Sequence, residues 1–207
     1  QAGGSLWRIS YDVRDMWKDI VKQGGMGILD IIDITEPLYS FAGPGHWNDM
    51  DMLVVGLEGK GGPSSDLGGI GCTYTEYQTQ MSMWCMFASP LAMSHDILNE
   101  NAATRRILLN KEIIAINQDA LGKAARLVQR IGECRVYHRQ LTNNRQAIAI
   151  MNPSDKAQRI SLPLSFLGKS AKYDFRDVWE HKNTSVKKAW EGKLEAHETK
   201  VFVVTKK

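Results

Sequence analysis

Trp47-Asn48-Asp49-Met50-Asp51-Met52-Leu53 sets two carboxylates, one residue apart, at the mouth of the apolar segment Met52-Leu53-Val54-Val55. A buried strand that begins or ends in paired acids carries a desolvation cost, so each carboxylate needs hydrogen-bond or charge partners. Upstream, Arg8-Ile9-Ser10-Tyr11-Asp12 has a related pattern, a short strand-like piece with a cation and an acid at its exit. Two strand ends that offer Asp and Arg to one cleft suggest carboxylate chemistry on a sugar. Asx-turn chemistry at strand ends is the favoured account of either segment taken alone.

Working outward, 207 residues allow one large domain or two small ones. Apolar residues make up 43% and charged residues 24%, as in ordinary globular proteins. A net charge of +3, with no Lys/Arg block before the Lys206-Lys207 tail, argues against a nucleic-acid partner. No apolar run is long enough to span a bilayer, so no membrane partner is expected. Cys72, Cys85 and Cys134 are widely spaced, which argues against a disulfide framework or a zinc site and for small, chemically idle thiols. The chain opens at Gln1 without an initiator Met or a signal peptide, and reads as a piece of something longer.

Strand-like and helix-like stretches alternate at first. Trp7 to Tyr11 reads as a strand. Val13 to Ile34 reads as mostly helical, with Met16, Ile20, Met26, Leu29, Ile31 and Ile32 as apolar positions and Gly24-Gly25 as an interruption. Pro44 between two glycines marks a loop before the Asp-rich strand. The stretch from Gly59 to Gly71 reads as a loop; it lacks the Lys-Ser/Thr ending of a phosphate cradle. Thr73-x-x-Glu76 is a capping box, and Met81, Trp84, Cys85 and Ala88 form one apolar helical face, read as core. Pro90 is expected to end that helix, Leu91 to Ser94 to form a short buried strand, and His95-Asp96 to sit at its exit. Ala102 to Leu109 and Ile113 to Ile116 read as helices. This order favours parallel βα units.

The texture changes near Gly122. Strands are expected at 127–130, 135–139, 147–151, 159–162, 173–179 and 201–204, with turns at Gly132-Glu133 and Asn143-Asn144. Short strands without helical period indicate a small antiparallel sandwich. Asn183-Thr184-Ser185 matches a glycosylation sequon, a weak signal by itself.

Four motifs in order carry a resemblance: Trp7-Arg8-x-x-x-Asp12, Gly45-x-Trp47-Asn48-Asp49-x-Asp51-Met52-Leu53, Pro90-Leu91-x-Met93-Ser94-x-Asp96, and Ile114-Ala115-Ile116-Asn117-Gln118-Asp119-x-Leu121-Gly122. Together they resemble the glycoside hydrolase family 27 α-galactosidases (melibiases), over essentially the whole chain. The resemblance implies an α/β plus all-β architecture, a (β/α)8 TIM barrel followed by a small antiparallel β-sandwich. Residues 1–122 would supply the C-terminal βα units of the barrel, about strands 6–8. Residues 123–207 would form the sandwich.

The implied chemistry is a retaining exo-glycosidase that removes terminal α-galactosyl residues from oligosaccharides or glycoconjugates, with no cofactor or metal and a galactose-containing carbohydrate as partner. Asp12 resembles the acid/base, which protonates the leaving oxygen and then activates water. Arg8 resembles a donor to the sugar hydroxyls, and because i and i+4 share a face of an extended strand, both side chains would reach one pocket. Asp51 and Met52 resemble positions that line that cleft, with Trp47 and Asp49 beside them. The family's nucleophilic Asp sits on an earlier barrel strand in a Lys-x-Asp context, and no such strand precedes Trp7. The chain by itself is therefore expected to be inactive, and three βα units alone would expose sheet edges. His46 and Met50 stand where relatives often carry Gly and Pro, which bears on loop shape and sugar specificity. Export, by secretion or to the periplasm, is expected from the class.

Other readings stay open. Family members that act on N-acetylgalactosamine or β-L-arabinopyranose would keep Asp12 and change contacts around the sugar ring. A non-catalytic carbohydrate-binding or structural module is a second class. A metal hydrolase built on Asp49, Asp51, His95 and Asp96 is a third, though these residues lack a metal-ligand spacing.

Overall fold

The computed structural model describes residues 4–22, 24–60, 71–168 and 172–207, so most of the Gly-rich Gly59–Gly71 stretch lies outside the described residues. Strand β1 (Leu6–Arg8) runs parallel to β5 (Trp47–Asp49), pairing Leu6 with Trp47, Trp7 with Asn48 and Arg8 with Asp49. Further along, Leu53 makes a single parallel bridge to Met93, and its N–H donates to Ala92 O at 2.7 Å. The expected strands thus lie side by side as short pieces. Residues 91–94 are not the buried strand expected: Ala92 and Met93 are exposed.

The largest departure falls between Val13 and Gly27. Instead of helix, β2 (Asp12–Val13), β3 (Ile20–Val21) and β4 (Gly25–Met26) form a small sheet in the order β2-β4-β3. Gly24 turns the chain at φ +90°, and a Cβ on Gly25 would lie 2.3 Å from Arg14 Nε. The two glycines permit a tight reversal and a close approach that a helix would not use. Helix α1 is confined to Ile28–Thr35 and buries Ile28, Leu29, Ile31 and Ile32.

Helix α2 (Tyr74–Met86) starts with the anticipated capping box: Thr73 and Glu76 satisfy each other's backbone donors. It stops before Pro90 is reached. Ala88 takes φ +56°, its N–H donates to Cys85 O at 3.3 Å, and Ser89 N–H donates to Trp84 O at 3.0 Å. That bonding pattern is a Schellman ending, so the chain reverses ahead of the proline. From Glu76 to Met86 all residues except Gln78 are buried, so the apolar positions are not confined to one face. The helix lies between the parallel pieces and the sandwich. Helices α3 (Ala102–Leu108) and α4 (Lys111–Asn117) follow, capped by the side chains of Asn101 and Asn110.

The second half is all β. Strands β6 (Arg126–Ile131), β7 (Cys134–Gln140), β8 (Gln146–Met151), β10 (Tyr173–Asp177), β11 (Lys182–Val186) and β13 (Thr199–Lys206) form an antiparallel sheet ordered β11-β10-β13-β8-β7-β6. Strands β9 (Gln158–Pro163) and β12 (Ala189–Leu194) pair separately as the second layer. The large sheet is buried on both sides. Val136, Ile148, Ile150, Phe175 and Val204 join Leu162 and Leu194 in the sandwich core. Tyr137, Ala147, Ala149, Met151 and Val201 face the helical layer. Alternation along Ala147-Ile148-Ala149-Ile150 puts small side chains toward that layer and branched ones into the sandwich, as period-two geometry requires. Strands β11 and β12 were not expected from sequence: Lys182 to Ser185 are all exposed and show no alternation.

Ion pairs join the two layers. Arg130 reaches Glu36 at 2.8 Å, Tyr137 Oη donates to Glu36 at 2.8 Å, and Arg135 pairs with Asp33. Arg176 holds Glu112 at 2.8 Å, and His181 Nδ1 lies 2.7 Å from the same carboxylate. His197 sets its two ring nitrogens 2.7 Å from Glu76 and 2.9 Å from Asp155 and stacks on Trp17 at 4.4 Å.

Candidate active site

The chain bends between Arg8 and Asp12, so these residues do not share one continuous strand. Their side chains meet nonetheless, with Arg8 Nη2 3.0 Å from Asp12 Oδ1. The same guanidinium nitrogen also donates to Asp51 Oδ2. Arg8 ends β1 next to Asp49 of β5, and Asp51 follows two residues later with φ +73°, a left-handed conformation that turns the chain back toward Arg8. Parallel pairing and this turn bring together groups 43 residues apart.

Asp51 and Asp12 differ sharply in environment. The Asp51 side chain is 10% exposed, whereas that of Asp12 is 84% exposed. Asp51 Oδ2 also accepts Val13 N–H at 2.6 Å, and its Oδ1 accepts Met52 N–H at 2.8 Å. The backbone of Asp51 is held as well: its N–H donates to Asp49 Oδ1 at 2.9 Å, and its C=O accepts Trp84 Nε1–H at 2.7 Å. Asp49 therefore acts on the loop, while Met52 leaves its side chain partly open beside Asp51. Gln80 of α2 completes the support, accepting Val54 N–H at 3.0 Å and donating to Met52 O at 3.2 Å.

Trp47 is not with this group. Its indole lines a cavity of about 450 Å³ together with Pro44, Ser89, Pro90, Asn117 and Gly122, at the start of β5. Met50, the residue between the two acids, is fully buried and donates its N–H to Ser89 Oγ at 3.0 Å. Proline has no N–H and could not make this bond. His46 stacks parallel to Trp7 with ring centroids 6.4 Å apart, and its Nδ1 lies 2.8 Å from Phe41 O. Both unusual residues are thus fixed in the local structure.

His95 and Asp96 are engaged elsewhere. His95 Nε2 lies 3.2 Å from Glu100, and Asp96 caps a short 3-10 turn through Leu98 N–H. The side-chain amide of Asn99, followed by Leu98 N–H, holds the Asp96 carboxyl below its ordinary range.

Sequence reading missed three supporting residues. Trp84 and Gln80 belong to the buried helix, and only the tertiary structure shows that their polar atoms face the Asp51 loop. Asp15 is 3% exposed and accepts Gly59 N–H, Cys72 N–H and Tyr77 Oη–H, each at 2.9 Å. An acid three residues past Asp12, followed by the apolar pair Met16-Trp17, was the available signal.

Parallel strand pieces with helices carry a carboxylate–guanidinium–carboxylate cluster at their ends and a β-sandwich behind them. Residues 2–119 match the family profile described as alpha galactosidase A, and residues 131–204 match that of the alpha galactosidase C-terminal beta sandwich domain. The chain belongs to this melibiase family. It is 32% identical to alpha-galactosidase 3 of Arabidopsis thaliana over 98% of its own length and 43% of that protein's. An alpha-galactosidase/melibiase candidate from Bacteroides fragilis superposes with a TM-score of 0.89 at 38% identity, over 98% of this chain and 43% of the other. The GH27 β-L-arabinopyranosidase of Geobacillus stearothermophilus gives 0.84 at 28% identity, over 99% of this chain and 46% of the other. The chain spans less than half the length of each.

Proposed function

We propose that residues 1–122 are the closing part of a (β/α)8 barrel, about strands 6–8, that residues 123–207 are its C-terminal sandwich, and that the completed enzyme is a retaining exo-glycosidase acting on terminal α-galactosyl residues. The observation that carries this reading is Arg8 bridging an exposed Asp12 and a buried Asp51 at the ends of parallel strand pieces. Barrel membership is supported by the exposure of Leu6 and Trp7 on the two sides of β1, apolar side chains that neighbouring barrel elements would cover. Export to the periplasm or outside the cell is part of the proposal, supported by the usual site of action of polymer-degrading glycosidases.

In this reading a carboxylate from an earlier barrel strand attacks the anomeric carbon as the glycosidic C–O bond breaks. Asp12 gives its proton to the departing oxygen, then takes one from the water that hydrolyses the glycosyl-enzyme ester. Arg8 and Met52 border the sugar. Asp49 shapes the loop, whereas Trp47 lines a separate cavity at the other end of β5 and is left out of the sugar contacts.

The test is hydrolysis of an aryl α-galactoside by the complete enzyme and by its Asp12→Asn variant. Loss on the order of 10²-fold or more is expected for removal of a positioned acid/base. Full activity in Asp12→Asn would remove Asp12 from the mechanism, and turnover by this chain alone would show that it needs no earlier strand. Preference for an N-acetylgalactosaminide or a β-L-arabinopyranoside would reassign the sugar and leave the reaction class in place.

A further inference from the structure

Asp51 has too few free acceptor positions to act chiefly as a sugar contact. A carboxylate offers about four lone-pair sites. In Asp51 three donors already occupy all but one of them: Arg8 Nη2 and Val13 N–H on Oδ2, and Met52 N–H on Oδ1. Two of the three donors flank Asp12. Val13 is the next residue in the chain, so its N–H fixes the peptide plane that leaves Asp12. Arg8 faces the Asp12 carboxyl from the other side through the same nitrogen that binds Asp51.

The geometry points to Asp51 as the positioning residue of the acid/base, a role that rests on the reading of Asp12 given above. It grips Asp12 by its backbone and by its partner cation, whereas the exposed carboxyl of Asp12 takes its direction from Arg8 among the described residues. Asp51 is itself immobilised by Asp49 and by the indole of fully buried Trp84, whose helix spans the interface with the sandwich. The resulting line of support runs from Trp84 to Asp51, from there to Arg8 and Val13, and ends at Asp12. Its direct contacts are charge-assisted or short, the kind that hold geometry best. A misplacement of about 1 Å can cost on the order of 10²-fold in rate, so this support matters to catalysis without touching substrate.

The discriminating measurement is leaving-group dependence in Asp51→Asn of the complete enzyme. Asparagine keeps the shape and an acceptor for Val13 but loses the charge that holds Arg8. A disaccharide α-galactoside needs its leaving oxygen protonated, whereas a dinitrophenyl α-galactoside departs largely without a proton. If Asp51 positions the acid, kcat on the disaccharide falls on the order of 10–100-fold, kcat on the dinitrophenyl substrate falls far less, and KM holds for both. Should KM rise equally for both substrates, Asp51 is a sugar contact and the inference is overturned. Trp84→Phe, which removes only the indole N–H, should give a weaker version of the same pattern; an unchanged leaving-group profile in Trp84→Phe together with a uniform loss in Asp51→Asn also overturns it. If no glycoside is turned over by the unaltered enzyme, the functional reading falls instead. Positioning is then decided by the Asp12 carboxyl and Val13 amide resonances of this chain, which must both move in Asp51→Asn for the inference to stand.

Discussion

Tyr77 Oη donates to Asp15 Oδ1 across 2.9 Å, tying the second turn of α2 to the segment that carries Asp12. Asp15 also receives Gly59 and Cys72 N–H, so a single buried carboxylate closes both ends of the 59–72 loop. Asp15→Ala would leave these donors unpaired in a site that admits little water. We expect a loss of about 2–5 kcal/mol, since each orphaned buried donor costs about 1–3 kcal/mol. Urea unfolding should show a lower midpoint at an unchanged slope.

Alkaline stability should follow Tyr77 and Tyr137. Burial first, and then the charge of Asp15 or Glu36, push both phenols above their ordinary value of 10.0. A raised folded-state value means that the native protein keeps these protons when the unfolded chain loses them. Their contribution is complete below pH 10 and declines as pH rises above it. Tyr137→Phe removes one such group, so its unfolding midpoint should fall less steeply with pH above 10 than that of the unaltered protein.

Acid stability should register Glu112, the carboxylate that joins α4 to Arg176 of β10. The Arg176 hydrogen bond is the leading cause that holds it below its ordinary value of 4.5. A depressed folded-state value gives stability that is present above pH 4.5 and lost as pH falls through the lower, folded-state value. Glu112→Gln should therefore be less stable at neutral pH and converge with the unaltered protein in acid. Parallel denaturation curves at several pH values check this.

Gly122 closes the turn between α4 and β6 with φ +59°, and a Cβ there would stand 2.8 Å from Trp47 Cη2 and 3.0 Å from Pro44. Gly122→Ala combines left-handed strain with a clash against a ring. A cost of about 1–3 kcal/mol is expected. The fall in Tm should shrink if Trp47→Leu is introduced with it, because the clash partner is then removed.

The change from helices to strands near Gly122 was legible because the periodicity changes there. Before it, apolar residues recur at helical spacing in α2 and the later helices; after it, Ala147 to Met151 alternate two by two. Residues 13–26 were misread because Met16, Ile20 and Met26 mimic a helical stripe. The reversal at Gly24 and the close approach at Gly25 override that local preference. Strand β11 had no apolar signal, being exposed at the sheet edge, and exists through its backbone pairing with β10.

Sequence by itself determined the family, through four ordered motifs, and the residue types that gather at the site: Arg8, Asp12, Asp49 and Asp51. It could not determine how differently the two acids Asp12 and Asp51 are held. Asp12 and Asp51 look alike in a one-dimensional string, each an acid beside apolar residues. Only the tertiary structure leaves one carboxyl 84% exposed and the other 10% exposed. The difference arises because Trp84, 33 positions beyond Asp51, and Arg8, 43 positions before it, arrive from separate elements to fix it. Burial and hydrogen-bond saturation are properties of packing, so no reading of local pattern could assign them.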